Sequence, residues 1–280
     1  MSSLDNITSL LFVPADRIDR LPKAIATVAG GIILDLEDGV AEDAKAAARV
    51  AIPQAIASLR DSKKISIIRI NAGHEGDKDI AAFKVCPPDV VMLPKVERPD
   101  QIAALVSKLQ ANAPQESTNI VALIETPLGV LAASEIARCS TSVIGLAFGS
   151  EDFALSMGVK PGREELAFAA GQISLAARAH LRAAFGVIGS IAEIQDEAAF
   201  SESCLRGQRA GFTGALAIHP KQVEIAHRVF APSSEDVSWA TAVIEDASMT
   251  TAGAFRGRDG RMVDRPVLDR ARRILERFRG

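Results

Sequence analysis

Carboxylates recur in this sequence where apolar runs end. The run Ile120 to Ile124 closes on Glu125, and the run 143–148 closes on Gly149-Ser150-Glu151-Asp152. In parallel α/β folds the strand C-termini point to the face where loops build the active site. Glu125 and one acid of the Glu151-Asp152 pair therefore meet at one edge of such a site. Two carboxylates with no Cys or His nearby suit a hard, oxygen-preferring cation such as Mg²⁺. Acids at helix starts also serve as caps, and spacing alone leaves both roles open. Asp35, Glu37 and Asp38 crowd the end of another apolar run. Like charges repel, so this cluster calls for nearby cations, a metal's waters or a bound substrate. Arg69 stands near the end of the run 64–70, placed to fork onto a substrate carboxylate or to pair with the Glu37/Asp38 cluster. Lys95 sits at the mouth of a fourth run, where its charge serves electrostatics or pairs with Glu37 or Glu125. Arg17 and Lys23 lie at and beyond the mouth of the first run. They hold an anionic group or are solvated surface charges. His219, at the end of the last run, is a ligand or base, or a hydrogen-bonded His beside Pro220.

The elements that must position these residues follow from periodicity. Apolar runs at 9–13, 31–36, 64–70, 89–93, 120–125, 143–148, 187–191 and 214–218 read as strands. Stretches of helical spacing separate them, among them 17–28, 42–59, 76–83, 162–185, 196–209 and 221–230. Eight strands alternating with helices are the signature of a (β/α)₈ TIM barrel, an α/β fold. No Gly-x-Gly-x-x-Gly follows the first strand, so a dinucleotide-binding fold has little support. Residues 1–230 are thus expected to form the barrel domain and 231–280 a C-terminal helical extension. The extension carries a helix over 234–247 with Trp239, a Gly- and Arg-rich stretch over 253–261 that is not expected in any core, and a basic helix beginning at Asp264. Such a tail often packs across a neighbouring subunit. Spacing alone gives Asp264 the role of an N-cap.

Composition narrows the partners. The chain has 280 residues, 48% of them hydrophobic, enough for a large buried core. The net charge of −3, with both signs mixed along the chain, argues against nucleic acid or an anionic membrane as the main partner. Cys86, Cys139 and Cys204 are far apart and show no metal spacing, as expected of thiols in a reducing compartment. The polar N-terminus shows no signal peptide, and no run is long enough to span a bilayer. The expected setting is the cytoplasm.

Eight segments, taken in order, carry a resemblance. They are LFVPADR (11–17), ILDLEDGVAEDAKAAAR (33–49), IIRIN (67–71), VMLPKVE (91–97), ALIETPLGVLAASEIA (122–137), LAFGSEDFALSMG (146–158), IHPKQV (218–223) and GRMVDRP (260–266). Together they resemble the citrate lyase beta-subunit-like branch of the HpcH/HpaI aldolase family, which includes malyl-CoA and citramalyl-CoA lyases. The resemblance covers nearly the whole chain. It implies a TIM barrel assembled as a homotrimer or hexamer, with Mg²⁺ on Glu125 and Asp152. It implies a substrate-anchoring Arg69, and a path for the CoA pantetheine and phosphates near Phe12, Arg17 and Lys23. It implies that Asp264 acts as acid/base on a neighbour's active site. In the mechanism expected on this basis, Glu37 and Asp38 hold metal-bound waters. The expected reaction is Mg²⁺-dependent carbon–carbon cleavage of a 3-hydroxyacyl-CoA thioester to acetyl-CoA and a 2-oxoacid, glyoxylate or pyruvate. Two alternatives stand beside it: a citrate lyase beta subunit acting on a citryl group carried by an acyl-carrier protein, and a non-catalytic binding protein that kept the fold. One departure is visible. Relatives carry an Asp near the end of the seventh strand, and here Val187-Ile188-Gly189-Ser190-Ile191 stands in its place.

Overall fold

The computed structural model describes residues 4–114, 117–250 and 252–279. The outermost residues of the expected domain limits, 1–3 and 280, lie outside them. The chain divides into two compact units, one ending at Phe230 and the other beginning at Ala231.

The first unit is a (β/α)₈ barrel. Its elements in order are β1 (Ser9–Pro14), α1 (Leu21–Ile25), β2 (Gly31–Asp35), α2 (Lys45–Asp61), β3 (Ile65–Arg69), α3 (Gly73–Ala82), β4 (Val90–Leu93) and α4 (Pro99–Asn112). There follow β5 (Asn119–Ile124), α5 (Pro127–Arg138), β6 (Val143–Phe148), α6 (Ser150–Met157), α7 (Arg163–Ala179), β7 (Ala183–Phe185), α8 (Glu197–Ala210), β8 (Ala215–Ala217) and α9 (Pro220–Phe230). All eight strands pair in parallel in the order β7-β6-β5-β4-β3-β2-β1-β8. A single parallel bridge, Phe185 to Gly214, nearly closes the ring.

Side-chain alternation sorts each strand into two faces. Leu10, Ile33, Ile67, Met92, Leu123, Ala147, Phe185 and Leu216 pack together inside the barrel. Their neighbours, such as Leu11, Ile32, Ile68, Val91, Ala122 and Leu146, pack outward in the larger core with the helices. Both faces are buried, which is why the strands read as unbroken apolar runs. Continuing the inward set by two residues reaches Phe12, Asp35, Arg69, Glu125 and Gly149, and a further two residues along β2 reaches Glu37. The barrel's own parity therefore gathers the polar residues in one layer at the C-terminal ends of the strands.

Four expectations need correction. The seventh strand is Ala183–Phe185, not 187–191, and the preceding helix stops at Ala179 rather than running to 185. A turn at Leu181, with φ of 55°, separates them. Ala183 and Ala184 are poor strand formers by propensity, but a strand buried on both faces at the barrel's seam selects small side chains, and context wins. Val187 and Ile188 are buried, but in the loop that follows. The first helix is only Leu21–Ile25, preceded by one 3₁₀ turn. Finally, the Gly- and Arg-rich stretch contributes to a core after all, that of the second unit.

That second unit holds α10 (Ser234–Ser248), the two-stranded hairpin β9 (Phe255–Arg256) and β10 (Met262–Val263), and α11 (Arg265–Arg279). Ala240, Val243, Val263 and Ala271 form its buried centre, with Trp239, Phe255 and Leu268 packed against it. Arg270 lies over the Trp239 ring at 4.8 Å. Among the described residues, no helix is long and apolar enough to cross a membrane.

Candidate active site

A cavity of about 760 Å³ opens at the C-terminal ends of the barrel strands. Phe12, Leu123, Leu216 and Ile191 contribute apolar surface; Asp35, Asp38, Arg69, Glu125, Glu151, Asp152 and His219 contribute polar surface. Asp35, Asp38, Arg69 and Glu125 are tied together through Glu37 and Lys95.

Arg69, the last residue of β3, is the hub. Its Nε and Nη2 donate to Asp35 Oδ1 and Oδ2, each at 2.7 Å, in a bidentate fork. Its Nη1 stands 3.1 Å from Glu37 Oε2, and its Cζ lies 4.9 Å from the centre of the Phe12 ring. Asp35 is fully used. Besides Arg69 it accepts the backbone N–H groups of Glu37 (3.0 Å) and Gly39 (2.9 Å), which shapes the turn after β2. A side chain at Gly39 would come within 2.3 Å of Asp35 Oδ2, so only glycine fits there.

Lys95 ties the acids together. Its backbone N–H donates to Glu125 Oε2 (2.9 Å), its Nζ donates to Glu37 Oε1 (3.0 Å), and the same Nζ lies 3.7 Å from Asp38 Oδ2. Holding both at once places Lys95 in the left-handed region, φ 53°, a conformation that costs a non-glycine residue about 1 kcal/mol or more. Burial works against the Lys95 charge, but Glu37, Asp38 and Glu125 outweigh it and hold the ammonium above its ordinary value.

The acids remain under-neutralised. Burial pushes the Glu125 carboxyl up to about 8; nearby Glu37 and Asp152 add to the shift, while the Lys95 N–H and Arg69 oppose it. Burial also raises Glu37, against the pull of Arg69 and Lys95. Glu37 Oε2 is buried and accepts no hydrogen bond. Gly149 leaves room beside Glu125, since a Cβ there would fall 2.6 Å from Glu125 Cγ and Oε1. A raised Glu125 carboxyl with Asp152 in the same cavity, and no thiol among the lining residues, fit a hard divalent cation. Among the described residues, no three His, Cys, Asp or Glu side chains converge as a complete cage. Two carboxylates, Glu125 and one of the acids after β6, are enough for Mg²⁺, which keeps water and substrate oxygens for the rest. Of the Glu151-Asp152 pair, Glu151 accepts a short hydrogen bond from Ser190 Oγ. Asp152 is the member coupled to Glu125.

The remaining expected site residues have surroundings of their own. Lys23 lines the cavity together with Arg20. Arg17 is exposed, does not line it, and forks onto Asp19 at 2.9 and 3.0 Å. Asp264, in the second unit, accepts the Val267 N–H at 3.3 Å and caps α11. His219 is half-buried, and its Nδ1 accepts the Lys221 N–H at 3.2 Å at the start of α9. Sequence reasoning did not single out the Lys95 main chain, Gly149 or Ser190. The glycine had a signal: it holds the inward position after β6, where a cradle for the acid on β5 is needed.

Residues 8–220 match the model of the HpcH/HpaI aldolase/citrate lyase family. The citrate lyase subunit beta of Haemophilus influenzae is 32% identical, over 96% of this chain and 96% of that protein. A (3S)-malyl-CoA thioesterase of Cereibacter sphaeroides is 34% identical, over 95% of this chain and 93% of that protein. Among solved structures, protein CitE of Mycobacterium tuberculosis, in complex with magnesium, acetoacetate and coenzyme A, superposes with a TM-score of 0.77. It is 33% identical, over 99% of this chain and 100% of that one.

Proposed function

We propose, from the premise that the chain belongs to the HpcH/HpaI aldolase/citrate lyase family, that this carbon–carbon lyase cleaves a 3-hydroxyacyl-CoA thioester of the malyl-CoA or citramalyl-CoA type. The products are acetyl-CoA and a 2-oxoacid, glyoxylate or pyruvate. The observation that carries the reading is the buried Glu125 carboxylate, with Asp152 close enough to raise it, sharing one cavity with the half-buried Arg69. Similarity to a malyl-CoA thioesterase and to a protein that binds magnesium and coenzyme A supports it.

Glu125 and Asp152 would hold Mg²⁺. When bound, the ion supplies Lewis acidity toward the substrate's hydroxyl and carboxylate oxygens. The chain's own residues do the rest. Arg69, rigidly aimed by Asp35 and Glu37, orients the substrate carboxylate and offers charge where negative charge develops. Glu37, Asp38 and Lys95 fix the polar wall that orders water around the acids. Phe12, Lys23 and Arg17 flank the path assigned to the thioester carrier, with Lys23 reaching the cavity itself. As the carbon–carbon bond breaks, the 3-hydroxyl proton leaves to water at the acid cluster, and Asp264 of a second copy, entering protonated, gives its proton to the methylene carbon; the reverse direction reverses both transfers. A carboxylate is a weak base against a thioester carbon acid, so a dry setting is needed for this step.

A homotrimer or hexamer completes this arrangement, with the C-terminal extension seated on a neighbour. The outer faces of α5, α6 and α7 support assembly: Leu131, Leu155, Phe168 and Leu175 are each more than two-thirds exposed. The citryl-carrier alternative draws on the likeness to citrate lyase subunit beta. It has less support in the cavity. A citryl group adds a carboxylate, and Arg69 is the only Lys or Arg among the lining residues that is not exposed.

The test is a Mg²⁺-dependent assay on purified protein with malyl-CoA and citramalyl-CoA side by side, detecting acetyl-CoA and the keto acid. Turnover abolished by EDTA is expected. Release of free malate without glyoxylate would identify a thioesterase instead. No turnover of either ester, by folded protein that binds Mg²⁺, would overturn the proposal in favour of the carrier-borne substrate or a non-catalytic role.

A further inference from the structure

Behind the site lies a buried polar group that the reaction above does not use. Asp79, on α3, is fully buried. Its Oδ1 accepts from Arg49 Nε at 2.7 Å, and its Oδ2 accepts from the Asn71 backbone N–H at 2.7 Å and from Asn71 Nδ2 at 2.8 Å. Asn71 Nδ2 also donates to the Leu36 carbonyl at 2.7 Å, and Asn71 Oδ1 accepts from Lys45 Nζ at 2.7 Å. Every polar atom of the Asn71 side chain thus has a partner of fixed sense, so the amide has one orientation.

The position of these bonds in the sheet gives them meaning. Parallel β2 and β3 continue their ladder past the strand ends, with the Leu36 N–H donating to the Arg69 carbonyl at 3.0 Å. The next rung of a regular parallel ladder would run from the Asn71 N–H to the Leu36 carbonyl. Asp79 takes that N–H instead, and the Asn71 side chain replaces it on Leu36. A side-chain amide reaches further than a main-chain N–H. The substitution lets the two strand ends part while the Leu36 carbonyl stays satisfied. Glu37 follows Leu36 directly, while Arg69 sits two residues before Asn71 on the last regular rung; Glu37 Oε2 and Arg69 Nη1 stand 3.1 Å apart across this point.

We infer that Asn71, oriented by Asp79 and Lys45, is a positioning residue that sets the spacing between Glu37 and Arg69 and so the shape of the acid cradle. A buried charge with a guanidinium partner contributes little net stability. Its gain here is one defined geometry for the peptide leading into Glu37. This inference rests on the reading that the cradle binds Mg²⁺, but it predicts an effect on the metal-free protein as well.

The experiment compares wild type with Asn71→Ala by amide hydrogen exchange without metal and by calorimetric titration with Mg²⁺ alone. The Glu37 and Gly39 N–H groups, held by Asp35 in the same turn, are expected to lose protection while the outer barrel strands keep theirs. The Mg²⁺ dissociation constant should rise about 10- to 100-fold. Unchanged protection in the 36–40 turn would overturn the inference even if wild type binds Mg²⁺. Protection lost evenly across the barrel would also overturn it, as a merely structural role. If wild type binds no Mg²⁺, the proposed function fails, and the exchange result still decides the positioning role. Should Asn71→Ala not fold, Asn71→Ser keeps a hydroxyl for Asp79, is one bond too short for Leu36, and carries the same expectations.

Discussion

Replacing Glu125 with Gln should make the metal-free protein more stable and at the same time abolish its response to Mg²⁺. Glu125 is 2% exposed, and its carboxyl is raised from 4.5 to about 8. The sign follows from linkage. A carboxyl raised in the folded state holds its proton when the unfolded chain has already lost it, so its favourable contribution is complete below pH 4.5. That contribution drains away as pH rises toward 8. At about 1.4 kcal/mol per pH unit, the burden on wild type reaches roughly 5 kcal/mol at pH 8. Gln carries no such burden. Its amide oxygen can still accept the Lys95 N–H, and its NH₂ faces the acids that surround Glu125. For a chain of this size, about 2 °C per kcal/mol turns a gain of roughly 3–5 kcal/mol into about 6–10 °C. The assay is thermal unfolding of chelator-treated protein at pH 6, 7 and 8, with and without Mg²⁺. Wild type should lose Tm with rising pH and recover it with Mg²⁺; E125Q should show neither change. A metal-free E125Q that melts below wild type at pH 8, or that still gains Tm with Mg²⁺, would refute the reasoning.

Three further outcomes follow from particular contacts. Gly149→Ala drives a methyl to within 2.6 Å of Glu125; Mg²⁺ affinity measured by calorimetry should fall at least about 10-fold, with the barrel's circular dichroism intact. Arg69→Lys removes the fork onto buried Asp35, so turnover should drop at least about 100-fold and stability by about 2–4 kcal/mol in denaturant titration. Asp264→Asn keeps a good helix cap and should fold normally without turnover. Mixed oligomers of D264N with E125Q should regain activity, because one site in them has both intact residues; no recovery on mixing would place Asp264's action within its own chain or nowhere.

The barrel was legible because its strands are buried on both faces, and uninterrupted Ile, Val and Leu runs survive any ambiguity about their ends. The seventh strand was misplaced for the opposite reason. Ala183 and Ala184 carry little intrinsic preference, and only the closing sheet selects them, while Val187 and Ile188 imitate a strand from within a loop. The acids and Arg69 were legible because alternation carries them inward from strands whose register is certain. What joins them was less visible: spacing offered Glu37 or Glu125 as partners for Lys95, and the fold uses both, one through the side chain and one through the main chain. A main-chain donor has no residue type to read. Arg17 was placed near the carrier path by the resemblance; the local fork onto its i,i+2 neighbour Asp19 is a pairing that charge at a strand mouth does not reveal.

The central claim is that Glu125 and Asp152 together hold one divalent cation at the barrel mouth. Anomalous diffraction from crystals grown with Mn²⁺ tests it directly, since Mn²⁺ accepts the same oxygen ligands. The account predicts one strong peak within about 2.2 Å of a carboxylate oxygen from each residue, absent in E125Q. A peak elsewhere in the molecule, or none at a concentration that supports turnover, would contradict it.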